Sequence, residues 1–498
     1  MRRYPALRVL LDRAHDALDG WEASFGPFER HPSLAVDEER LAEALDRYLA
    51  RLTAPPGDAG GNYPFFHPRY AGQMLKPPHP VAVAAYAAAL RVNPNNHALD
   101  GGPPTGQMEK EVVAELAGMF GLPAEALGHL TGGGTIANLE ALWVARELHP
   151  GKAVAFSADA HYTHARMAQV LGLEAHAVPA TPEGRIDLDA LEVALETGRI
   201  GTVVLTAATT GLGAVDPVAD ALPLLRRYGA RLHVDAAYGG FFTVLAQEGP
   251  WAEARGQGSG VRMIEPKFSA PPPTPSPSTV HRPPDFPAEH FRAIAGADSV
   301  VVDPHKHGLQ PYGCGCVLFR DPAVGRFYRH DSPYTYFTSD RLHLGEISLE
   351  CSRPGAAAGA LWLTLQVLPL RADDGLGPVL AAGLRAARRW ADLSSASERL
   401  RLYAPPETDI VAYFSEGPAL SAVDAASQRV FDRGMADPDD PLFLSLYRLD
   451  AARLTARFPA LAADRPEARV LRSVLMKPEH EGYVEHLHAR VEALAEPE

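Results

Sequence analysis

Apolar and charged positions alternate at helical spacing through the first part of the chain. In the runs at 7–21 (LRVLLDRAHDALDGW) and 37–52 (DEERLAEALDRYLARL), apolar residues recur every three or four positions. This spacing predicts amphipathic helices. The Pro- and Gly-rich segment TAPPGDAGG (53–61) ends the pattern. Residues 1–65 are therefore predicted to form an N-terminal helical arm.

From about residue 109, helical patterns alternate with short β-branched or apolar runs. A helix predicted for EKEVVAELAGMF is followed by strands predicted for AVAFS, TVVLTA, RLHVDAAY and SVVVDP. Strands that alternate with helices at this interval form right-handed βαβ units and a mainly parallel sheet. Ligands of such sheets bind beyond the carboxyl ends of the strands, so the side chains at those ends are the candidates for chemistry.

The composition changes abruptly at about 250–290, in a segment that contains PPPTPSPSTVHRPPDFP. So many prolines cannot hold a helix or a central strand, and we predict an inserted surface loop. Beyond PLRADDGLG (369–377), helical runs and short strands continue to the end. The pattern predicts a large domain over 66–370 and a small C-terminal α/β domain over 371–498.

Charge and cysteine content narrow the range of partners. Lys and Arg number 47 against 61 Asp and Glu, giving a net charge of −14, and an acidic surface repels nucleic-acid phosphates and anionic lipid. Cys314, Cys316 and Cys351 make neither a disulfide framework nor paired zinc motifs. The N-terminus lacks an export signal, and the most apolar stretch is about half a membrane span. We expect a soluble, cytoplasmic protein that binds neither nucleic acid nor membrane.

A glycine run lies where one strand is predicted to end. Gly132 to Gly134 precede Thr135 and an amphipathic helix in TGGGTIANLEALWVAREL. Glycine lets the backbone close around an anion, and the free N–H groups and dipole of a helix start favour a phosphate. A plain glycine turn is the alternative explanation of this motif taken alone.

Asp235 follows another predicted strand, in HVDAAYGG. A carboxylate buried at a strand end is costly unless it is paired. The ring nitrogen of pyridoxal-5'-phosphate (PLP) is one such partner, because a nearby anion keeps it protonated. Contact with an opposite charge is worth about 1.4 to 4 kcal/mol, against roughly 0.3 to 1 kcal/mol for a charge at a helix end. A helix cap or a structural salt bridge is the alternative role.

VVVDPHKHG places Lys306 after a hydrophobic strand and a proline turn. A lysine that forms an imine must be partly desolvated, whereas most lysines are solvated surface residues. His161 begins a helix after a strand in SADAHYTHARM, where an imidazole could stack on an aromatic cofactor. Taken singly, it is as readily a structural histidine.

Two pairs of histidines also suggest a metal site. His161 and His164 together with His305 and His307 could in principle bind zinc. No carboxylate or cysteine falls at ligand spacing, so we predict no metal.

In order and spacing, these motifs resemble the group II PLP-dependent amino-acid decarboxylases, the family of glutamate, aromatic-amino-acid and tyrosine decarboxylases. The resemblance covers most of the chain and is weak over the Pro-rich insertion and the first 60 residues. It includes FHPRYAGQM, NPNNH, TAATTGLGAVDP, LECSRPGAAAGALW and VLRSVLMKP. Through TIANLEALW, SRPGAAA and LQVLPL, the chain is most similar to the bacterial and archaeal tyrosine-decarboxylase branch.

The resemblance implies PLP fold type I, the aspartate-aminotransferase-like α/β architecture, in a homodimer with active sites between subunits. It implies that Lys306 forms an imine with PLP, that Asp235 pairs with the ring nitrogen and that His161 stacks on the ring. Further expected cofactor contacts are Ala237 beneath the ring, Gly134 and Thr135 at the phosphate, Thr209 or Thr210 nearby, and His305 close to the imine.

By the same resemblance, the reaction is decarboxylation of an L-amino acid to an amine and carbon dioxide. Arg353 is expected to meet a substrate carboxylate, with a structural ion pair as its alternative role. The segment SPYTYFTSD resembles the family's mobile loop. Tyr334 is therefore the candidate general acid for Cα, with Tyr336 in reserve, although both could be packing residues. A tyrosine there favours simple decarboxylation over the aldehyde-forming variant.

Two departures from the family pattern bear on the substrate. His307 follows the lysine where relatives usually carry Met or Trp, and Gln73, a predicted substrate contact, resembles glutamate decarboxylases more than the tyrosine branch. We expect an aromatic L-amino acid, with glutamate or aspartate as the alternative. Transamination, aldol cleavage and a PLP-fold scaffold without catalysis are the other classes. The intact lysine, aspartate and loop tyrosine count against the scaffold.

Overall fold

The computed structural model describes residues 4–55, 61–247, 285–329 and 342–496. Most of the predicted Pro-rich insertion lies outside the described residues. The two N-terminal amphipathic patterns form helices α1 (Leu7–Ala23) and α2 (Glu38–Leu52). Neither helix buries any residue completely. Helix α1 packs against the third helix of the chain, Pro80–Val92, whereas the leucines of α2 are exposed in the single chain.

Helices and strands then alternate as the periodicity predicts. In chain order they are α3 (Pro80–Val92), α4 (Pro103–Met119), β1 (Leu127–Thr131), α5 (Gly134–Leu148), β2 (Ala153–Ser157), α6 (Thr163–Leu171), β3 (Ala175–Val178), α7 (Leu188–Glu196), β4 (Ile200–Thr206), α8 (Val218–Tyr228), β5 (Arg231–Asp235), α9 (Thr243–Ala246), α10 (Ala288–Ala293), β6 (Ser299–Val302), β7 (Gly315–Phe319) and α11 (Gly355–Val367). Proline begins α3 and α4, where its missing N–H leaves no hydrogen bond unmade.

The seven strands form one sheet in the order β1-β7-β6-β5-β4-β2-β3. Strands β2 to β6 pair in parallel, and β7 is antiparallel to both of its neighbours. A parallel pairing needs a crossover that is usually a helix, and the connection from β6 to β7 (303–314) contains no helix, so β7 returns antiparallel. Since β1 and β6 flank β7, they point the same way, and the sheet is mainly parallel as predicted.

The core of the sheet is buried on both faces. Every residue of β4 is buried, because helices cover both sides of the strand. Val203, Val234 and Val300 have no exposed surface. This packing fixes the carboxyl ends of β1, β2, β5 and β6 at one edge, which is where the candidate residues of the sequence lie.

A second, antiparallel sheet forms in the C-terminal part of the chain. Its elements are α12 (Leu376–Ala396), β8 (Leu400–Leu402), β9 (Ile410–Ser415), α13 (Leu420–Ala436), β10 (Ser445–Asp450), α14 (Ala451–Arg457), β11 (Glu467–Val474) and α15 (Val484–Leu494). The strand order is β10-β11-β9-β8, and Trp390, Tyr413 and Leu471 are in the core beneath it. Across the described parts of the chain, no helix has both the length and the apolar character that a bilayer crossing requires.

Candidate active site

A cavity of about 360 Å³ opens at the carboxyl edge of the large sheet. The turns that follow β1, β2, β4, β5 and β6 form its wall. Its lining includes Gly132, Gly133, Gly134, Thr135, His161, Thr210, Asp235, Ala237, His305 and Lys306. Most of the predicted site residues, which are far apart in the sequence, therefore meet in one place.

The glycine turn between β1 and α5 forms one end of the cavity. Gly133 has a φ of +146°, which residues with a Cβ rarely adopt. A Cβ added to Gly134 would lie 2.8 Å from Asp303 Oδ2 and 3.3 Å from Ala237 Cβ. The first N–H groups of a helix have no acceptor within it, and those of Gly134 and Thr135 begin α5 in the cavity wall. The turn therefore has the shape and the donors of a phosphate cradle.

Asp235 ends β5 and is almost completely buried. Its Oδ1 accepts the Ala237 N–H at 3.1 Å, and its Oδ2 lies 2.8 Å from His164 Nε2. Burial alone would raise the pKa of Asp235, but the hydrogen bond with His164 and the charge of Lys306 outweigh burial and hold this pKa well below its usual range. An ionised carboxylate is therefore present in the cavity wall.

His161 lies between β2 and α6. Its Nδ1 accepts the Thr163 N–H at 3.2 Å, which fixes the ring at the start of the helix. Burial lowers the pKa of His161, and Asp235 offsets only part of that effect. The imidazole is uncharged at neutral pH as a result, and an uncharged ring is suited to lie against an aromatic cofactor.

Lys306 lies on the turn that follows β6. Its N–H donates to the Asp303 carbonyl at 2.9 Å, and its Nζ lies 3.0 Å from Asp303 Oδ2. The Lys306 side chain is 21% exposed and that of Asp303 is 3% exposed, so the lysine reaches the cavity while its carboxylate partner is buried. The partly desolvated lysine expected from the sequence is thus present.

The two histidines beside Lys306 occupy different environments. His305 lines the cavity, and its Nδ1 lies 2.8 Å from the Cys314 carbonyl oxygen. Burial lowers the pKa of His305. His307 is not part of the cavity wall; it is buried with its ring centroid 4.7 Å from that of Tyr238. Its Nε2 also lies 3.3 Å from Oδ2 of the buried Asp409, so the unusual residue after the lysine contacts the protein interior and not the cavity.

The two threonines predicted near the phosphate also differ. Thr210 lines the cavity. Thr209 is fully buried outside the lining, and its Oγ1 accepts the Ala214 N–H at 3.2 Å. Thr209 therefore holds the loop in shape, while Thr210 presents itself to the cavity.

Arg353 is not brought to the cavity. Its guanidinium is buried, with Nη1 2.5 Å from Glu109 Oε1 and 2.8 Å from the Leu130 carbonyl oxygen. Its Nη2 also donates to the Asn96 carbonyl at 3.3 Å. The geometry corresponds to the structural ion pair rather than to the expected substrate contact, because Glu109 already neutralises the charge of Arg353.

The remaining predicted substrate and acid residues lie apart from the cavity or outside the description. Gln73 is exposed and does not line the cavity. Tyr334 and Tyr336 lie outside the described residues, so their roles stay predictions.

Three residues of this region carry roles that the sequence patterns did not reveal. For His164 the sequence suggests only a metal ligand, and its spacing of three from His161 is the signal that it carries. Asp303 pairs with Lys306 at the same spacing in DPHK. Arg472 on β11 donates from Nη2 to the Thr210 carbonyl at 2.6 Å, a contact between distant segments that no local pattern predicts.

The residues present fit PLP. The glycine turn supplies donors for a phosphate, Asp235 supplies an anion for a ring nitrogen, and Lys306 supplies an amine. The buried hydroxyls of Thr163 and Thr206, both in the cavity wall, have no hydrogen-bond partner within the described protein, so polar groups remain for a ligand. Among all the residues that the structure describes, no group of three or more His, Cys, Asp or Glu side chains is arranged to hold a metal ion.

Comparisons with known proteins agree with this arrangement. Residues 67–250 match the profile of the pyridoxal-dependent decarboxylase conserved domain. The L-tyrosine decarboxylase of Enterococcus faecium is 28% identical over 468 residues, covering 78% of this chain and 74% of that protein. The probable L-tyrosine/L-aspartate decarboxylase of Methanoculleus marisnigri is 30% identical, covering 64% of this chain and 73% of that protein.

The fold has counterparts among solved structures. The structure of Oryza sativa TDC with PLP and tryptamine superposes with a TM-score of 0.71 at 17% identity and covers 99% of both chains. The sheet order, the cavity and these relatives lead to the same assignment. The chain belongs to the pyridoxal-dependent decarboxylase family and is a PLP-dependent amino-acid decarboxylase of fold type I.

Proposed function

We propose that this enzyme removes the carboxyl group of an aromatic L-amino acid, tyrosine or a close analogue, releasing the amine and carbon dioxide. The observation that carries the reaction type is the meeting of Lys306, Asp235 and His161 in one cavity. The aromatic substrate is supported by the similarity to the tyrosine decarboxylase of Enterococcus faecium, which extends over 78% of this chain.

Different residues of the cavity wall are assigned to different parts of the cofactor. Lys306 would hold the aldehyde end of PLP through Nζ, and Asp303, 3.0 Å from that nitrogen, orients the amine and can accept a proton from it. The N–H groups of Gly134 and Thr135 bind the phosphate, and Thr210 adds a nearby hydroxyl. Asp235 would pair with the ring nitrogen, and His161 and Ala237, which also line the cavity, would contact the ring.

Bound PLP supplies an electron sink for the pair left on Cα when carbon dioxide departs. The protein must hold the substrate carboxylate away from water and return a proton to Cα. Arg472 is our candidate for the carboxylate, because its buried guanidinium adjoins Thr210 and donates to neutral oxygens, those of Thr210, Gly211, Gly72 and Ser445. Unlike Arg353, it forms no ion pair with a carboxylate among the described residues, so its charge remains for a substrate. Tyr334, with Tyr336 in reserve, remains our candidate for the proton donor.

An acidic substrate is the second candidate. The relative from Methanoculleus marisnigri is named for both tyrosine and aspartate, and Gln73 was the feature of the sequence that resembled glutamate decarboxylases. Both substrate classes need a cation for the α-carboxylate, and an acidic substrate needs a second cation or set of donors for its side-chain carboxylate.

The test is release of carbon dioxide from each of the twenty L-amino acids by purified, PLP-saturated enzyme, with the amine identified by mass. Release from tyrosine or another aromatic amino acid supports the proposal. Release from aspartate or glutamate alone overturns the aromatic assignment and leaves the decarboxylase assignment intact. A keto acid without carbon dioxide would indicate transamination instead.

The exposed leucines of helix α2 support the homodimer that the family resemblance implies. Helix α2 buries no residue, yet Leu41, Leu45, Leu49 and Leu52 are each 44–54% exposed. These leucines recur at three or four positions and form one apolar stripe. A second copy of the chain is the occupant that we propose for it, since two identical stripes can cover each other.

The oligomeric state tests this part of the proposal. Light scattering of the holoenzyme should give twice the chain mass, and Leu45→Glu with Leu49→Glu should shift the protein towards the monomer. A monomeric wild-type holoenzyme at micromolar concentration would refute the homodimer.

Cytoplasmic location is also proposed. It is supported by the free thiols of Cys314, Cys316 and Cys351, because thiols stay reduced in the cytoplasm.

A further inference from the structure

His164 is a fully buried histidine behind the cavity wall. It is the second residue of α6, and its Nε2 lies 2.8 Å from Asp235 Oδ2. Its N–H donates to the His161 carbonyl at 3.1 Å. One helical turn therefore carries a ring in the cavity wall, that of His161, and a second ring that contacts the carboxylate from behind.

The position of the His164 proton follows from its surroundings. Its Nδ1 is buried without a hydrogen-bond partner among the described residues, beside the ring of Phe156. A proton on that nitrogen alone would leave a donor unsatisfied and would leave Nε2 with nothing to give the carboxylate. The favoured arrangement has the proton on Nε2, where it is donated to Asp235 Oδ2.

This hydrogen bond matters because of where the carboxylate lies. Asp235 is 5% exposed, and burial favours the protonated form of a carboxyl. A protonated Asp235 would present no anion to a ring nitrogen. The Ala237 N–H fixes only Oδ1, so His164 is the side chain that both orients Oδ2 and favours its charge.

We infer that His164 is a positioning residue of the decarboxylase, which acts through Asp235 to strengthen the contact with the PLP ring nitrogen. The inference rests on the proposed role of Asp235. His164 touches neither the cavity nor the substrate, so its effect must appear at the ring nitrogen and nowhere else in the cofactor.

A purely structural histidine would behave differently, and the chain contains a matched example. His129 on β1 is equally buried, and its Nε2 lies 2.9 Å from Glu140 Oε2. Neither residue of that pair lines the cavity. His129→Phe therefore removes a buried histidine–carboxylate hydrogen bond of the same kind without touching Asp235.

The experiment compares two cofactors on reconstituted enzyme. Dissociation constants are measured for PLP and for 1-deaza-PLP, in which a carbon replaces the ring nitrogen. The wild type should prefer PLP, and His164→Phe should reduce that preference by about tenfold. His164→Gln, which keeps a donor near the Nε2 position, should retain most of it, and His129→Phe should not change it.

The outcomes distinguish a failure of the role inferred for His164 from a failure of the role proposed for Asp235. If Asp235→Asn abolishes the preference for PLP and His164→Phe leaves it unchanged, His164 is structural and the inference is wrong. If Asp235→Asn also leaves the preference unchanged, the role of Asp235 itself is wrong. Should His164→Phe fail to fold, His164→Asn replaces it, since the shorter amide cannot reach Oδ2 and should also reduce the preference.

Discussion

The Nζ of Lys306 lies 3.0 Å from Oδ2 of Asp303, three residues earlier on the turn after β6. Asp303 is buried, and its Oδ1 has no hydrogen-bond partner within the described protein. A buried carboxylate is costly unless it is paired, so this one is held in place by the lysine that it orients. The pair therefore supplies an amine that is fixed in position and, beside it, a carboxylate that can accept a proton.

Substituting the lysine should remove both the bound cofactor signal and the activity. Lys306→Ala is expected to abolish the visible absorbance of protein-bound PLP and to lower the decarboxylation rate by roughly 10³-fold or more. Absorbance spectra of dialysed holoenzyme and carbon dioxide release measure the two effects. Lys152→Ala is the control, because Lys152 contacts the Gly198 carbonyl on the surface. Retained absorbance in Lys306→Ala would place the cofactor lysine elsewhere.

The phosphate cradle should be sensitive to a single methyl group. In Gly134→Ala the new Cβ would lie 2.8 Å from Asp303 Oδ2, and overpacking of this kind costs about 1 to 3 kcal/mol. The dissociation constant of PLP should therefore rise by about tenfold, as measured by fluorescence titration of the apoenzyme. Gly482→Ala, where nothing lies within 4 Å, should bind PLP as the wild type does. Equal affinities in the two variants would contradict the cradle.

How far the sequence predicts the site depends on whether the information is local. Asp235 ends β5 and Lys306 lies on the turn after β6. Because the strands of a parallel sheet end at one edge, their meeting could be predicted. The antiparallel direction of β7 could not, because it depends on a connection that lacks a helix. Periodicity describes elements and leaves unspecified how neighbouring strands are joined.

Partners that lie far apart in the chain account for the remaining differences. The expected substrate role of Arg353 came from residue type and motif, whereas Glu109, its partner in the structure, lies 244 positions away. His164 likewise meets Asp235 across 71 positions. Which acceptor a buried guanidinium or imidazole reaches is decided by tertiary packing, and no pattern along the chain carries that information.

Arg353 should therefore affect stability more than catalysis. Breaking a buried ion pair by removing one partner costs about 3 to 5 kcal/mol, so Arg353→Met should lower the free energy of unfolding by that order. The KM of the folded variant for the best substrate should stay within about twofold of the wild-type value, because the ordinary effect of a remote substitution on binding is small. Denaturant unfolding and steady-state kinetics are the two measurements.

The matched variant for this pair is the double substitution Arg353→Met with Glu109→Gln, which removes the unpaired charge. It should recover part of the lost stability, since replacing both partners of a buried pair is less harmful than removing one. A large rise in KM with unchanged stability would instead restore Arg353 as a substrate contact.

Acid should destabilise the enzyme through the histidine beneath the cavity. Burial lowers the pKa of His233 to about 3 from the ordinary 6.5, and its ring nitrogens contact Asn138 Oδ1 at 2.8 Å and Ser299 Oγ at 2.9 Å. Between those two pKa values the unfolded chain binds a proton that the folded chain does not. Stability therefore falls with falling pH, by about 1.4 kcal/mol per pH unit from this residue.

Replacing His233 should make the free energy of unfolding less dependent on pH. Between pH 7.5 and pH 5.0, His233 lowers stability only in the interval below the pKa of a histidine in the unfolded chain. The free energy of unfolding of His233→Gln should therefore fall by about 2 kcal/mol less than that of the wild type. Glutamine keeps an amide for the same neighbours and does not titrate. Denaturant unfolding at the two pH values measures the difference. His176→Gln, on the exposed face of β3, should leave the wild-type slope unchanged, and an equal slope in all three proteins would show that His233 does not govern it.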